Sequence, residues 1–179
     1  ICQHFAWGAR GQGPGAAGLS PAAIRLTEDG KSPDGKAAGD KQEAHLSPCG
    51  KFASFVRGND LYAVDVTSKA VWRVTSDGGP ELFHGLLDWV YQEEIYGRGD
   101  FQGHWWAPQG GKLAFLSLDE SPVKEFTVVD HVPPGYLSKE RSVVAEVTNY
   151  PKAGDGNPFA RLAVADFAGQ KVVPVDLSA

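Results

Sequence analysis

The sequence predicts an all-β protein, a partial β-propeller of antiparallel four-stranded blades with a short helical insertion. Three observations carry this. Short apolar or alternating runs recur between turn residues, and no long segment shows the 3.6-residue period of an amphipathic helix. The turn-plus-strand "SPCGKFASF" (47–55) is echoed by "APQGGKLAF" (107–115). Strands ending near an aspartate recur as "YAVDV" (62–66), "TVVDH" (127–131) and "AVADF" (163–167). The step from Asp130 to Asp166 is close to a blade period of ~40–45 residues, and the longer step from Asp65 to Asp130 reads as one blade plus an insertion. An antiparallel sandwich would use the same strands. Pro–Gly turns at blade-like spacing favour the propeller.

Each element follows in order. Residues 1–43 are rich in Gly, Ala, Pro, Ser and Asp and read as loop and partial blade, with a short strand expected near Ala23–Leu26. From 44 to 179 the texture is that of about three blades. "KFASFVR" (51–57), "DLYAVDV" (60–66) and "AVWRVT" (70–75) are strands joined by "GN" and "TSK", lengths suited to hairpins. In the irregular stretch 76–104, "LLDWVYQEE" predicts one or two helical turns. "KLAFLSL" (112–118), "KEFTVVDH" (124–131), "SVVAEVTNY" (142–150), "RLAVADF" (161–167) and "KVVPVDL" (171–177) resume the strand pattern.

Bulk properties exclude several functions. A formal net charge of −5 gives no footprint for nucleic acid. No apolar run approaches the ~20 residues that span a bilayer. The opening "ICQHFAWGAR" is not a signal peptide, and a chain without any Met reads as one that begins mid-protein. The two cysteines, Cys2 and Cys49, make no disulfide framework, and the five histidines show no metal-ligand spacing, so neither a metal nor another cofactor is expected. The compartment stays open.

Most motif matches are weak. "GPGAAG" (13–18) fits a dinucleotide fingerprint but lacks the flanking strand and helix. "RGD" (98–100) is a chance-length tripeptide. No G-x-S-x-G elbow occurs, so no catalytic nucleophile is assigned. Trp105 and Trp106 are expected to divide between sheet packing and a blade edge. The adjacent acids Glu93 and Glu94, set among Trp89, Tyr91 and Tyr96, are more informative. On a helical turn two neighbours differ by ~100° and can lean toward one point. Converging carboxylates repel unless a cation lies between them, and an ammonium group with three N–H donors suits that place. The alternative is ordinary: two acids on an exposed turn, salt-bridged to Arg98 or a lysine.

The stretch "LLDWVYQEEIYGRGDFQGHWWAPQGGKLAFLSLDESPVKEF", followed by "YPKAGDGNP", resembles the N-terminal β-propeller of the dipeptidyl peptidase IV family, including its bacterial members, in the prolyl oligopeptidase clan. The likeness covers roughly residues 44–179. It implies an eight-bladed propeller capping an α/β-hydrolase domain that carries the Ser-Asp-His triad and is missing from these residues. It implies that Glu93 and Glu94 bind the free N-terminus of a peptide substrate, so that N-terminal X-Pro or X-Ala dipeptides are released. Gln92 stands where some members have a third acid and is not counted. A carbonyl-holding arginine is also implied; Arg10 and Arg25 are candidates and neither is assigned. "YPKAG" (150–154) reads as a loop closing a blade. For the full-length protein the resemblance implies a serine-type dipeptidyl peptidase, with a homodimer and an extracytoplasmic or periplasmic setting compatible with it. For the 179 residues alone it implies no peptidase activity. A tripeptidyl aminopeptidase of the same clan and an inactive protein-binding propeller are the alternatives.

Overall fold

The computed structural model describes residues 25–27, 40–130 and 144–178. These form two meander-like antiparallel sheets and one hairpin. The first sheet runs in chain order through β1 (Gln42–Leu46), β2 (Phe52–Arg57), β3 (Asp60–Asp65) and β4 (Val71–Arg73). This is the four-stranded blade the sequence predicts. Its β2–β3 connection is the two-residue "GN" loop, with Gly58 and Asn59 both at positive φ (58° and 63°), as a hairpin of matching twist requires. The β3–β4 turn is set by Asp65, whose Oδ1 accepts the backbone N–H groups of Thr67 and Ser68.

The second sheet is centred on β7 (Lys112–Asp119) and β10 (Phe159–Asp166), with β11 (Lys171–Pro174) beyond β10. On the other side of β7 lie two three-residue strands, β5 (Leu82–His84) and β6 (His104–Trp106). They are two halves of one strand. His84 faces Ser117 and His104 faces Phe115, and between them Gly85 donates its N–H to the Leu116 carbonyl while Leu116 N–H bonds to the Gly103 carbonyl. Residues 86–102 are therefore an excursion out of a single strand, and the predicted helix sits on it.

The sequence echo is structural. Ser47 N–H closes onto the Phe52 carbonyl, and Ala107 N–H onto that of Lys112. Asp65 pairs with Phe52 across its sheet as Asp166 pairs with Lys112 across the other. The third aspartate breaks the pattern. Asp130 ends β8 (Glu125–Asp130), which pairs only with β9 (Val144–Asn149) in a separate two-stranded sheet. The near-blade spacing from Asp130 to Asp166 is thus coincidental. The hairpin is a second insertion, between β7 and β10, and the blade repeat runs from Asp65 to Asp166. Sequence position alone could not separate an inserted hairpin from a blade, because both are alternating strands.

Further differences are local. The strands β1, β5 and β6 were not expected; all are short, and β1 straddles the 43/44 boundary. Of the strand expected near Ala23–Leu26, only the end is described, and Arg25–Thr27 is not strand. The "YPKAG" loop closes the base of the β8–β9 hairpin and not a blade: Tyr150 N–H bonds to the Lys124 carbonyl, Lys124 pairs with Asp155, and Gly154 turns at φ 89°. The "GPGAAG" run lies outside the described residues. No helix among the described residues is long and apolar enough to cross a membrane.

The core lies between the two sheets. Val56, Leu61 and Ala63 of the first meet Leu113, Phe115 and Ala165 of the second, all buried. An aromatic cluster borders it: Phe167 packs on Phe52 (4.4 Å between centroids), Trp72 (5.4 Å) and Trp106 (5.4 Å). Each such pair contributes about 0.5–1.5 kcal/mol beyond its buried area.

Candidate functional site

The excursion leaves its strand at Gly85 and returns at Gly103. Both must be glycine. Gly85 has φ 72°, and a Cβ on Gly103 would lie 2.8 Å from the Gly85 carbonyl carbon. The two arms then bond to each other through Gly103 N–H to Gly85 O and Leu87 N–H to Phe101 O. At the tip, Trp89 and Val90 open a helical turn that continues as a π-helix over Tyr91–Ile95. Its wide turn is closed by Tyr96 N–H to the Tyr91 carbonyl. A helix was expected here, and the π form is the correction: Asp88 and Gln92 fix its two ends by other bonds. Asp88 accepts Tyr91 N–H at 2.9 Å through Oδ1, and its carbonyl accepts Gln92 N–H. Gln92 is buried, and its Oε1 accepts Gly99 N–H at 2.8 Å.

Aromatics hold the turn from both sides. Trp89 meets Tyr150 at the base of the hairpin, edge to face at 4.6 Å. Tyr96 stacks on Trp105 at 6.0 Å. The Trp105–Trp106 pair thus divides across β6, Trp105 steadying the excursion and Trp106 joining the core cluster.

This scaffold presents the two glutamates differently. Glu93 is largely covered, and its Oε1 accepts from both Nε (2.7 Å) and Nη2 of Arg98. Arg98 itself is 86% exposed, so the pair is a surface ion pair of small net value. Glu94 is exposed and has no polar partner among the described residues. The salt bridge to Arg98 foreseen as the ordinary alternative is therefore present, and it engages one glutamate of the two. The "RGD" tripeptide is part of this turn: Asp100 N–H bonds to the Gly97 carbonyl and Arg98 serves Glu93. Arg25 is exposed, and Arg10 lies outside the described residues.

Sequence reasoning missed the support beneath the turn. Asp88 and Glu120 are 3% and 5% exposed and meet at a cavity of about 440 Å³ whose walls include Leu86, Trp89 and Phe101. Burial pushes the Glu120 carboxyl up to about 7, with Asp88 beside it adding to the rise against the Asn149 hydrogen bond. Burial likewise raises Asp88. Their separation in the chain hid the pair.

A second cluster also forms: Asp60, Asp77 and His84 bring ligand-type atoms within 4.8 Å of one another. Asp60 is already saturated by Arg73, Thr75 and Gly78 N–H. Burial alone would raise its carboxyl; those hydrogen bonds outweigh burial and hold it below its ordinary value. His84 shares Nδ1 with Ser117, while Asp77 stands 3.1 Å from Nε2 without hydrogen-bond alignment. Three of the donors on Asp60 come from Arg73 and the 75–78 segment, so the group reads as a tie between β3, that segment and β5, with Asp60 already engaged by a cation, Arg73.

Two antiparallel sheets packed face to face, one interrupted to raise a turn that carries Glu93 and Glu94, define part of a β-propeller. The family model described as the dipeptidyl peptidase IV (DPP IV) N-terminal region matches residues 20–179. The chain belongs to that family. It is similar to the probable dipeptidyl peptidase 4 of Aspergillus flavus, 39% identical over 140 residues, covering 77% of this chain and 18% of that protein. It is also similar to the probable dipeptidyl-aminopeptidase B of Aspergillus niger, 36% identical over 156 residues, covering 83% and 16%. Its fold matches the crystal structure of Porphyromonas gingivalis dipeptidyl peptidase 4 with a TM-score of 0.69 at 26% identity, over 86% of this chain and 20% of that one. The chain thus spans about a fifth or less of the relatives it matches.

Proposed function

We propose that this segment is the substrate-anchoring part of a serine exopeptidase that releases N-terminal dipeptides, with Glu93 and Glu94 as the seat for the substrate's protonated amino terminus. The observation that carries the reading is the placement of both acids on a turn raised from a sheet by paired glycines, buttressed by Trp89 and Tyr96, with no polar partner for the Glu94 carboxylate among the described residues. The relatives named above support the peptidase class.

The physics is one of positioning. An ammonium group donates three hydrogen bonds, and each carboxylate accepts a charge-assisted one. Fixing one end of the peptide fixes which amide bond can meet a nucleophile, and held geometry converts binding energy into rate. The nucleophile in this reading belongs to an α/β-hydrolase domain elsewhere in the full-length protein. A tripeptidyl aminopeptidase would use the same seat one residue further from the nucleophile, and product masses separate the two.

The test uses the full-length protein and a chromogenic Gly-Pro substrate. Glu93→Gln and Glu94→Gln should each raise KM and lower kcat/KM by roughly tenfold or more, the loss of one charged hydrogen bond. An N-acetylated substrate should be refused by wild type. Wild-type kinetics in both variants would end the anchoring reading.

A further inference from the structure

We propose that Glu120 is a positioning residue for the Glu93–Glu94 turn: carrying a proton, it donates a hydrogen bond to the buried Oδ2 of Asp88 while accepting one from Asn149, and so fastens the start of the helix to the β8–β9 hairpin. The proposal rests on the reading of Glu93 and Glu94 as an amine seat for its consequence in catalysis, though not for its structural content.

Asp88 has two carboxylate oxygens with different fates. Oδ1 takes the Tyr91 N–H at 2.9 Å. Oδ2 is buried and has no hydrogen-bond donor among the described residues. A buried acceptor left without a donor costs about 1–3 kcal/mol, more when charged. The group that meets it is Glu120, itself a carboxyl. Two ionised carboxyls in contact away from water repel, whereas one proton between them turns the same contact into a charge-assisted bond.

Glu120 is the member that keeps the proton. Its Oε2 accepts Asn149 Nδ2 at 2.9 Å, leaving the other oxygen for Asp88, and its own N–H bonds to the Glu81 carbonyl. Among the described residues, the charged groups that line the spaces around it are all acidic. Glu81 precedes β5, Glu43 on β1 lines the cavity it shares with Asp88, and Glu125 on β8 lines the space on its other side. No lysine or arginine lines either space among the described residues. Asp88 is the better anion because it also accepts a backbone N–H. Burial sets the Glu120 carboxyl near neutrality, at about 7. Below that the bridge is made. Above it both groups are charged, and the first turn of the helix loses its tie to the hairpin.

The sign follows from linkage. A carboxyl bound more tightly to its proton in the folded state stabilises that state below its unfolded pKa, and the benefit fades as pH rises through the folded value. Glu120→Gln supplies a permanent donor to Asp88 and a permanent acceptor to Asn149; Glu120→Ala supplies neither.

The experiment compares the full-length wild type with both variants by hydrogen exchange of the peptide spanning 88–96, corrected for intrinsic rates, at about pH 6 and about pH 8.5. Wild type should lose protection roughly tenfold across that range, Glu120→Gln should not respond, and Glu120→Ala should resemble high-pH wild type throughout. On the Gly-Pro substrate, the wild-type KM divided by that of Glu120→Gln should rise several-fold over the same interval with kcat nearly unchanged. The ratio cancels titration of the substrate's own amine. Flat wild-type exchange, or Glu120→Gln behaving as Glu120→Ala, overturns the proposal. Responsive exchange with an unresponsive KM keeps the bridge and removes the anchoring reading. Raised KM in Glu93→Gln with flat exchange does the reverse.

Discussion

Glu93 already holds a cation. Arg98 reaches back along the turn to grip its Oε1 with two nitrogens, and under the proposed amine-seat role an incoming ammonium group would have to share or displace that contact. An exposed ion pair is worth about 0.2–1 kcal/mol, a small obstacle, and the guanidinium can swing into solvent. Arg98→Ala should therefore lower KM for free-amine substrates by roughly two- to fivefold without changing kcat, as steady-state kinetics would read. A raised KM would mean that Arg98 orients Glu93 and does not compete for it. At this scale the sequence was informative up to a point. Two acids among aromatics pointed to a bound cation, and Arg98 was within reach as its internal version. Which of the two acids would be paired depends on the turn's hydrogen bonding, set in part by Gln92 closing onto Gly99 N–H. Glu120 was invisible for a different reason: it follows a strand remote in sequence from Asp88, and only the pairing of β7 with β5 brings it beside the root of the excursion.

The excursion is the element that converts a propeller strand into a platform. One or two helical turns were expected in "LLDWVYQEE". The strands that flank it were not, because β5 and β6 are three residues each and become one strand only when both lie against β7. Propensity cannot see a strand whose halves are separated by a turn of helix. The glycine pair at the junction carries the strain of that design. A methyl on Gly103 would press on the Gly85 backbone at 2.8 Å, and backbone cannot yield as a side-chain tip can. Gly103→Ala should destabilise by about 3 kcal/mol, at the upper end of overpacking costs, visible as a lowered urea midpoint at unchanged m. Gly99→Ala is the contrast. It has positive φ but open space around it, so its cost should be the backbone strain alone, about 1–2 kcal/mol.

At the scale of the whole molecule, the repeat at 47–55 and 107–115 pointed to recurring turn-plus-strand units, and each of the two copies leads into the strand at the middle of one sheet. The polar centre of the seam between the sheets was not predicted. His104 on β6 is fully buried; its Nδ1 lies 2.7 Å from the Gly85 carbonyl and must donate to it, so Nε2 is the acceptor for Ser54 Oγ at 3.0 Å, while Ser54 accepts Trp106 Nε1–H at 3.0 Å. One neutral imidazole thereby joins the root of the excursion to the neighbouring sheet. Burial holds His104 down at about 4 from an ordinary 6.5, against the pull of the Gly85 carbonyl and with the nearby His45 assisting. The unfolded chain accepts a proton that the folded seam refuses, so this contribution is complete above about 6.5 and declines as pH falls, levelling off below about 4. Its size is on the order of 3 kcal/mol. Glu120 titrates over an overlapping range in the opposite direction, and Asp60, held below its ordinary value, weakens the fold in the same direction at still lower pH, so wild-type acid sensitivity alone would not isolate it. His104→Asn keeps a donor for the Gly85 carbonyl and removes the titration. Its deficit relative to wild type, measured by urea unfolding, should be largest near pH 7 and shrink by about 3 kcal/mol toward pH 4. A deficit constant across that range would mean that His104 is already charged in the seam, and that Ser54 accepts from it, leaving the Ser54 hydroxyl proton to the His45 carbonyl at 3.4 Å.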